Sequence, residues 1–255
     1  MEKAQQEEEE RQTKCSIKIH EILENPFVEY VENVFETKYG HKKPLCDLHE
    51  LLAIVDEKEL YVHIGILGKD DRVCPFIHDF HHAVDKNDEF RELYHKYIQK
   101  EIMPLICKNK ENKIVIQKTP NIRISLPEYA AIGRNPSRDD DEIIGYHKDA
   151  DFGHFEEEIN FIIPLTTMYD SNSIYYETKI ESKKFINLKM DTSQMFQGYL
   201  NQLHHYNKKN TTPHTRMSFD LRVIPYDKYM ENVERFKGTK FELGKYYVVL
   251  ESVFV

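Results

Sequence analysis

The sequence predicts a mainly β fold, a sandwich or barrel of jelly-roll type, with helices buttressing it from the N-terminal side. Three observations predict it. Apolar residues recur at helical spacing in the first part of the chain, up to about residue 110. From Lys113 onward the apolar period changes to two, and strand patterns follow one another. The chain has 255 residues and no visible internal repeat, which fits one large domain with helices packed on a sheet.

Residues 1–14 read as a charged, disordered leader, and residues 15–255 as one domain, with a helical buttress over 15–110 and a jelly-roll core over 111–255. Ile17, Ile19, Ile22, Leu23, Phe27, Val31 and Val34-Phe35 carry the first helical spacing. A second helix is expected from Pro44 to about Val55. Leu60–Leu67 reads equally as a strand or a short helix. Asn87 is placed to cap the next helix: Glu89 lies in its first turn, and Phe90, Leu93, Tyr94, Tyr97, Ile98 and Ile102 form its apolar stripe. Lys113–Gln117, Ile122–Leu126, Ile159–Ile163, Ser173–Glu177 and Arg216–Val223 are expected strands, with a late one over Gly244–Leu250.

Apolar residues make up 40% of the chain, enough for a core and unlike a disordered protein. A net charge of −9 without a basic stripe argues against binding nucleic acid. Part of the acidic excess lies in Glu7–Glu10 and Asp139–Glu142, read as solvated charge runs. Cys15, Cys46, Cys74 and Cys107 are far apart and form no C-x-x-C pair, which argues against a disulfide scaffold or a cysteine zinc site. No segment has the length and apolarity of a membrane span or a signal peptide. A soluble, reduced, cytoplasmic protein is the expectation; oligomeric state is not legible.

The chemistry-bearing residues come in a fixed order: His147-Lys148-Asp149, then His205, then Arg216-Met217-Ser218. Two imidazoles and a carboxylate on one face of Fe(II) leave three positions open, which a closed four-ligand zinc site does not. His147 and Asp149 are two apart, so on an extended segment they point the same way. Arg216 follows His205 by eleven positions and Ser218 by two more. On paired strands this puts a planar guanidinium fork and a hydroxyl beside a ligand histidine, a donor set matched to a carboxylate. On the strand over Arg216–Val223, Arg216, Ser218, Asp220 and Arg222 share one face; that face meets either water or a polar barrel interior, and both readings stand. The string HKD lacks the H-x-K-x4-D spacing of phospholipase D-type chemistry.

The stretches Gly145–His154, Glu158–Thr166, Asn172–Glu177 and Asn210–Val223 resemble the Fe(II)/2-oxoglutarate-dependent dioxygenases, most like the streptomycin-biosynthesis StrG-type and phytanoyl-CoA hydroxylase-like group. The resemblance covers roughly residues 119–225, plus a Gly-x-Tyr-Tyr ending at Tyr247. It implies a double-stranded β-helix (cupin-like) fold, Fe(II), O2, and 2-oxoglutarate as cosubstrate. It also implies that His147, Asp149 and His205 are the catalytic metal ligands. Arg216 with Ser218 takes the distal carboxylate of 2-oxoglutarate, and Asn160 and Arg123 are added to the cosubstrate-binding set. His204 is the rival to His205, and Arg222 the rival to Arg216. Arg123, Ser125, Asn160, Ser173, Tyr175 and Glu177 are candidates to face inward, which predicts a small polar substrate such as a sugar, cyclitol or amino acid. His78, His81 and His82 sit in one dense cluster that reads as surface and packing histidines, and His154 as a group behind the metal site.

Overall fold

The computed structural model describes residues 17–53, 75–107, 112–127 and 144–252. The expected leader, the Leu60–Leu67 element and the acidic run Asp139–Glu142 lie outside these residues.

Strand β1 (Lys18–Glu21) comes first, then helix α1 (Phe27–Tyr39) and a 3₁₀ helix (Leu45–Ala53). Helices α2 (Pro75–Val84) and α3 (Asp88–Tyr97) follow; α3 runs on through a π turn (Ile98–Ile102) into the short α4 (Met103–Ile106). Asn87 caps α3, its Oδ1 accepting from the Phe90 N–H at 3.1 Å. Strands β2 (Lys113–Gln117), β3 (Asn121–Ser125), β4 (Ile144–His147), β5 (Ile159–Pro164), β6 (Ile174–Glu177), β7 (Phe185–Asn187), β8 (Gln194–Gly198), β9 (His205–Asn207) and β10 (Arg216–Pro225) follow, then α5 (Tyr226–Glu231), α6 (Val233–Phe236) and β11 (Tyr247–Glu251).

The helical spacing from Ile17 to Leu23 does not make a helix. Lys18–Glu21 pairs antiparallel with β8, from Lys18↔Gln197 to Glu21↔Gln194. Ile19 and Leu23 are exposed, so this stretch is no buried stripe, and α1 begins only at Phe27, which is fully buried. The available edge of β8 outweighs a weak periodicity. The expected helix near Pro44 forms as the tighter 3₁₀ helix over Leu45–Ala53.

The strands form two antiparallel sheets. The larger runs β1-β8-β5-β10-β2-β11, with β3 also pairing β10; the smaller runs β4-β9-β6-β7. Strand β10 is central: β5 lies along one side, and β3 then β2 along the other. Its alternation decides which layer packs where. Met217, Phe219, Leu221 and Val223 are completely buried against the helices; the Phe219 ring lies 5.2 Å from that of Phe27 and 5.3 Å from that of Phe80. Removing a ring packed this way costs about 3–5 kcal/mol. Arg216, Ser218, Asp220 and Arg222 are buried too, on the face turned toward the smaller sheet. The polar face of β10 therefore looks into the protein, not into water. A second apolar cluster, including Ile162 and Phe196 from the larger sheet and Ile174 and Tyr176 from the smaller, packs between the sheets.

Candidate metal and cosubstrate site

His147 ends β4 and His205 begins β9, and the two are direct cross-strand partners. Cross-strand partners share a face, and their rings lie 4.3 Å apart. Gly145 makes the approach possible. It sits at φ 67°, a left-handed conformation that favours glycine, where the β4–β9 ladder shifts register. Asp149 is not on a continued strand, as the two-residue spacing suggests. It opens a 3₁₀ turn (Asp149–Phe152), and its backbone N–H donates to the Leu200 carbonyl at 3.1 Å. The turn still brings its Oδ1 to 3.5 Å from His147 Nε2 and 3.6 Å from His205 Nε2.

The orientation of all three groups is set from behind. His147 Nδ1 faces the Gly145 carbonyl, and His205 Nδ1 the Leu203 carbonyl at 3.0 Å. Each ring thus donates through Nδ1 to the carbonyl two residues before it, which aims Nε2 at the shared space. Asp149 Oδ2 accepts from Asn160 Nδ2 at 2.8 Å and from Arg222 Nη2 and Nε at 2.7 and 3.2 Å. One oxygen of the carboxylate is saturated and the other is left for a cation. Burial alone raises the Asp149 carboxyl, but Arg222 and the His147 contact more than offset it and hold it well below the ordinary carboxylate range. Burial lowers His205, favouring the neutral ring a metal needs. These two nitrogens and the Asp149 oxygen all lie within 4.8 Å of one another. The donor set fits a borderline divalent ion such as Fe(II). Access is from the His147 side: its side chain is 27% exposed against 10% for His205, with the exposed Phe152 ring 4.9 Å away.

His204 points the other way. Its Nδ1 lies 3.0 Å from Glu177 Oε2 and its ring stacks on Tyr146. Consecutive strand residues face opposite sides, and His205 is the one that meets Asp149.

The two rival arginines differ in their company. The Arg222 guanidinium is enclosed by acids: Asp149, Asp220 at 3.4 Å and Glu158 at 4.0 Å. Arg216 is equally buried, yet its Nε, Nη1 and Nη2 donate only to neutral oxygens, the Asn172 carbonyl, Ser218 Oγ and Asn207 Oδ1. No described carboxylate lies within ion-pair distance of it. Burial, with Arg123 nearby, lowers Arg216 to about 10. A buried cation without a counter-ion is costly, and a bound anion relieves that cost. Ser125, directly across from Arg216 in the β3–β10 ladder, is buried with a hydroxyl that has no hydrogen-bond partner among the described residues. Alternation along β3 is enough to turn Ser125 inward, but only the β3–β10 register sets it opposite Arg216.

Other expectations are redirected. Asn160 does not present a free amide: it bridges Asp149 and the Leu200 N–H, the latter at 2.9 Å. Arg123 is committed to Asp220 Oδ2, at 2.9 Å from Nη2. Asn160 thus touches Asp149 directly, and Arg123 is linked to it through Asp220 and Arg222. Tyr175 and Glu177 lie on the face opposite His205, because Tyr176 is its cross-strand partner; Tyr175 stacks instead on Tyr206. Ser173 is buried and bonds the Leu188 carbonyl. His154 donates to Glu158 at 2.7 Å, and Glu158 also accepts from Tyr247 Oη at 2.6 Å. The ring centroids of His78 and His82 are 6.1 Å apart on α2, and among the described residues they belong to no cluster that can hold a metal. No described helix is long and apolar enough to cross a membrane.

No family model matches the chain. The streptomycin biosynthesis protein StrG of Streptomyces griseus is 26% identical over 210 residues, spanning 80% of this chain and 92% of StrG. Among solved structures, the non-haem α-ketoglutarate-dependent carbocyclase SnoK from nogalamycin biosynthesis is 11% identical with a TM-score of 0.48, covering 96% of this chain and 95% of SnoK. EvdO2 of Micromonospora carbonacea is 9% identical with a TM-score of 0.47, covering 86% of this chain and 90% of EvdO2. The chain is similar to StrG over most of both chains, and its His147, Asp149 and His205 converge in the order that the resemblance to the Fe(II)/2-oxoglutarate-dependent oxygenases implies.

Proposed function

We propose that this protein is an Fe(II)- and 2-oxoglutarate-dependent oxygenase with a double-stranded β-helix core, and that it hydroxylates a small polar metabolite. The observation that carries the reading is the convergence of His147 Nε2, His205 Nε2 and Asp149 Oδ1, each fixed by a hydrogen bond from behind. Fe(II), if held by these three residues, would supply O2 activation coupled to decarboxylation of 2-oxoglutarate to succinate and CO2. The chain's own residues do the rest. His147, Asp149 and His205 hold the ion. Arg216, Ser218 and the unpartnered Ser125 hydroxyl take the distal carboxylate of the cosubstrate, and that anion neutralises the buried guanidinium. Arg222 and Asn160 hold Asp149 by Oδ2, which leaves its other oxygen facing His147 and His205. The buried polar face of β10 orients the cosubstrate and excludes water.

The relation to StrG, a protein of streptomycin biosynthesis, supports a natural-product or sugar-like metabolite as substrate. With Tyr175 and Glu177 on the outer face, the support for a polar substrate now rests on this relation and on the polar inner row of β10, not on β6. The test is succinate release from 2-oxoglutarate with Fe(II) and ascorbate, across a panel of sugars, cyclitols, amino acids and acyl chains. Stimulation by polar members with an added oxygen in the product is expected. Tight metal binding without 2-oxoglutarate turnover by any member would favour a silent binding protein; stimulation by acyl chains alone would overturn the substrate class.

A further inference from the structure

We propose that Cys46, Asp47 and His214 form a second metal site, of zinc type. The Cys46 thiol, an Asp47 carboxylate oxygen and a His214 ring nitrogen all lie within 4.8 Å of one another. His214 Nδ1 is 3.7 Å from Asp47 Oδ1. Cys46 and Asp47 lie at the start of the 3₁₀ helix, and His214 two residues before β10, so the cluster joins parts of the chain far apart in sequence. That junction is built without any metal. The Thr215 N–H donates to the Cys46 carbonyl at 2.7 Å, and the Thr215 hydroxyl lies 3.0 Å from His49 Nδ1. Two of the ligands, Cys46 and Asp47, are half-buried, and His214 is exposed, which leaves an entry path.

The donor chemistry separates this site from the first. A thiolate, an imidazole and a carboxylate are a borderline-soft set suited to zinc, with a fourth tetrahedral position for water. The His147–Asp149–His205 set contains no sulfur. The two share no residue, so the second site stands whether or not the first binds iron. A metal here would clamp the 3₁₀ helix to the entry of β10, two residues from Arg216.

The sulfur gives the test its readout. Cobalt(II) bound to a thiolate shows an intense near-ultraviolet charge-transfer band that an N/O site does not produce. Reduced full-length protein carrying His147→Ala, which impairs the first site, is titrated with cobalt(II). The expected result is one equivalent bound with that band, displaced by zinc, and lost on adding Cys46→Ser. His214→Ala, at an exposed position that tolerates change, should also remove the band while the fold persists by circular dichroism. A band that survives Cys46→Ser, and so comes from Cys15, Cys74 or Cys107, would overturn the proposal. So would cobalt binding with no band while the Cys46 thiol remains titratable, or no binding at all. A cobalt band that zinc fails to displace would overturn the zinc assignment.

Discussion

Arg222 donates two hydrogen bonds to the same oxygen of Asp149, from Nη2 at 2.7 Å and Nε at 3.2 Å, and thereby fixes which oxygen faces His147 and His205. The same guanidinium is held by Asp220 and Glu158, so the Asp149 carboxylate is one member of a buried charge network. Its remoter members are His154 and Tyr247, both on Glu158.

That network predicts two separable effects at Arg222. Arg222→Leu removes the cation shared by Asp149, Asp220 and Glu158, and stability should fall by about 3–5 kcal/mol, as when one partner of a buried pair is removed. Arg222→Lys restores charge but not the two-point grip on Oδ2. It should recover much of the stability while metal affinity stays roughly 10–100-fold below wild type, the usual effect of losing a group that orients a ligand. Chemical denaturation and competitive metal titration read the two quantities separately. A folded Arg222→Lys protein with wild-type metal affinity would refute the orienting role.

Arg216 is expected to act on the cosubstrate and not on the metal. A charge-assisted, two-point hydrogen bond is worth about 1.5–3 kcal/mol, so Arg216→Leu should raise the 2-oxoglutarate requirement by roughly ten- to a hundred-fold. Metal affinity should hold, because its guanidinium contacts Asn172, Asn207 and Ser218 and none of the three ligands. Ser125→Ala should give a smaller change in the same direction. Equal loss of metal and cosubstrate in Arg216→Leu would show that the residue is only structural.

His204 and His205 provide an internal control. His205→Ala should abolish binding at the first metal site. His204→Ala should leave it, losing only the Glu177 contact and the Tyr146 stack on the other face of the smaller sheet. Metal titration of both variants decides; the opposite pattern would exchange the two assignments.

What could be read from the chain divides by range. Arg216–Val223 shows its strand and its two faces because eight residues alternate without interruption, and Asn87 shows its cap because the signal is local. Strands β4, β7 and β9 are three or four residues long, too short to establish a period. Helices α5 and α6 carry a signal in the chain, since Tyr226, Tyr229, Val233 and Phe236 recur at helical spacing. The order of the ligands was visible, but the Arg222–Asp149 pair was not, since its members are 73 residues apart and meet only once β10 is seated. Tyr175 and Glu177 show how much rests on register. A one-residue difference in where β6 meets β9 moves both from the metal face to the outer face.

The acid response of the metal-free protein follows from two depressed groups with separate windows. Burial lowers His205 below its ordinary 6.5, so the folded state favours the neutral ring. Its contribution is fully present above that value and is lost as pH falls from there toward the lowered one. Asp149 is depressed from 3.8, against its burial, by Arg222 and the neighbouring histidines, so its contribution is lost only in stronger acid. Stability should therefore decline in two stages, the first beginning near pH 6.5. Burial also lowers His81 and His95, so His205→Ala should reduce the first stage without removing it. The second stage should persist in that variant, somewhat reduced, because Arg222 is the larger cause of the Asp149 depression and His205 a smaller one. Denaturation midpoints of both proteins, measured at steps from about pH 7 to about pH 3, test this. If wild type and His205→Ala decline identically between about pH 7 and about pH 5, His205 is not held neutral by the fold. In that case the imidazole would have to be deprotonated on metal binding, and metal affinity would fall steeply over the same range.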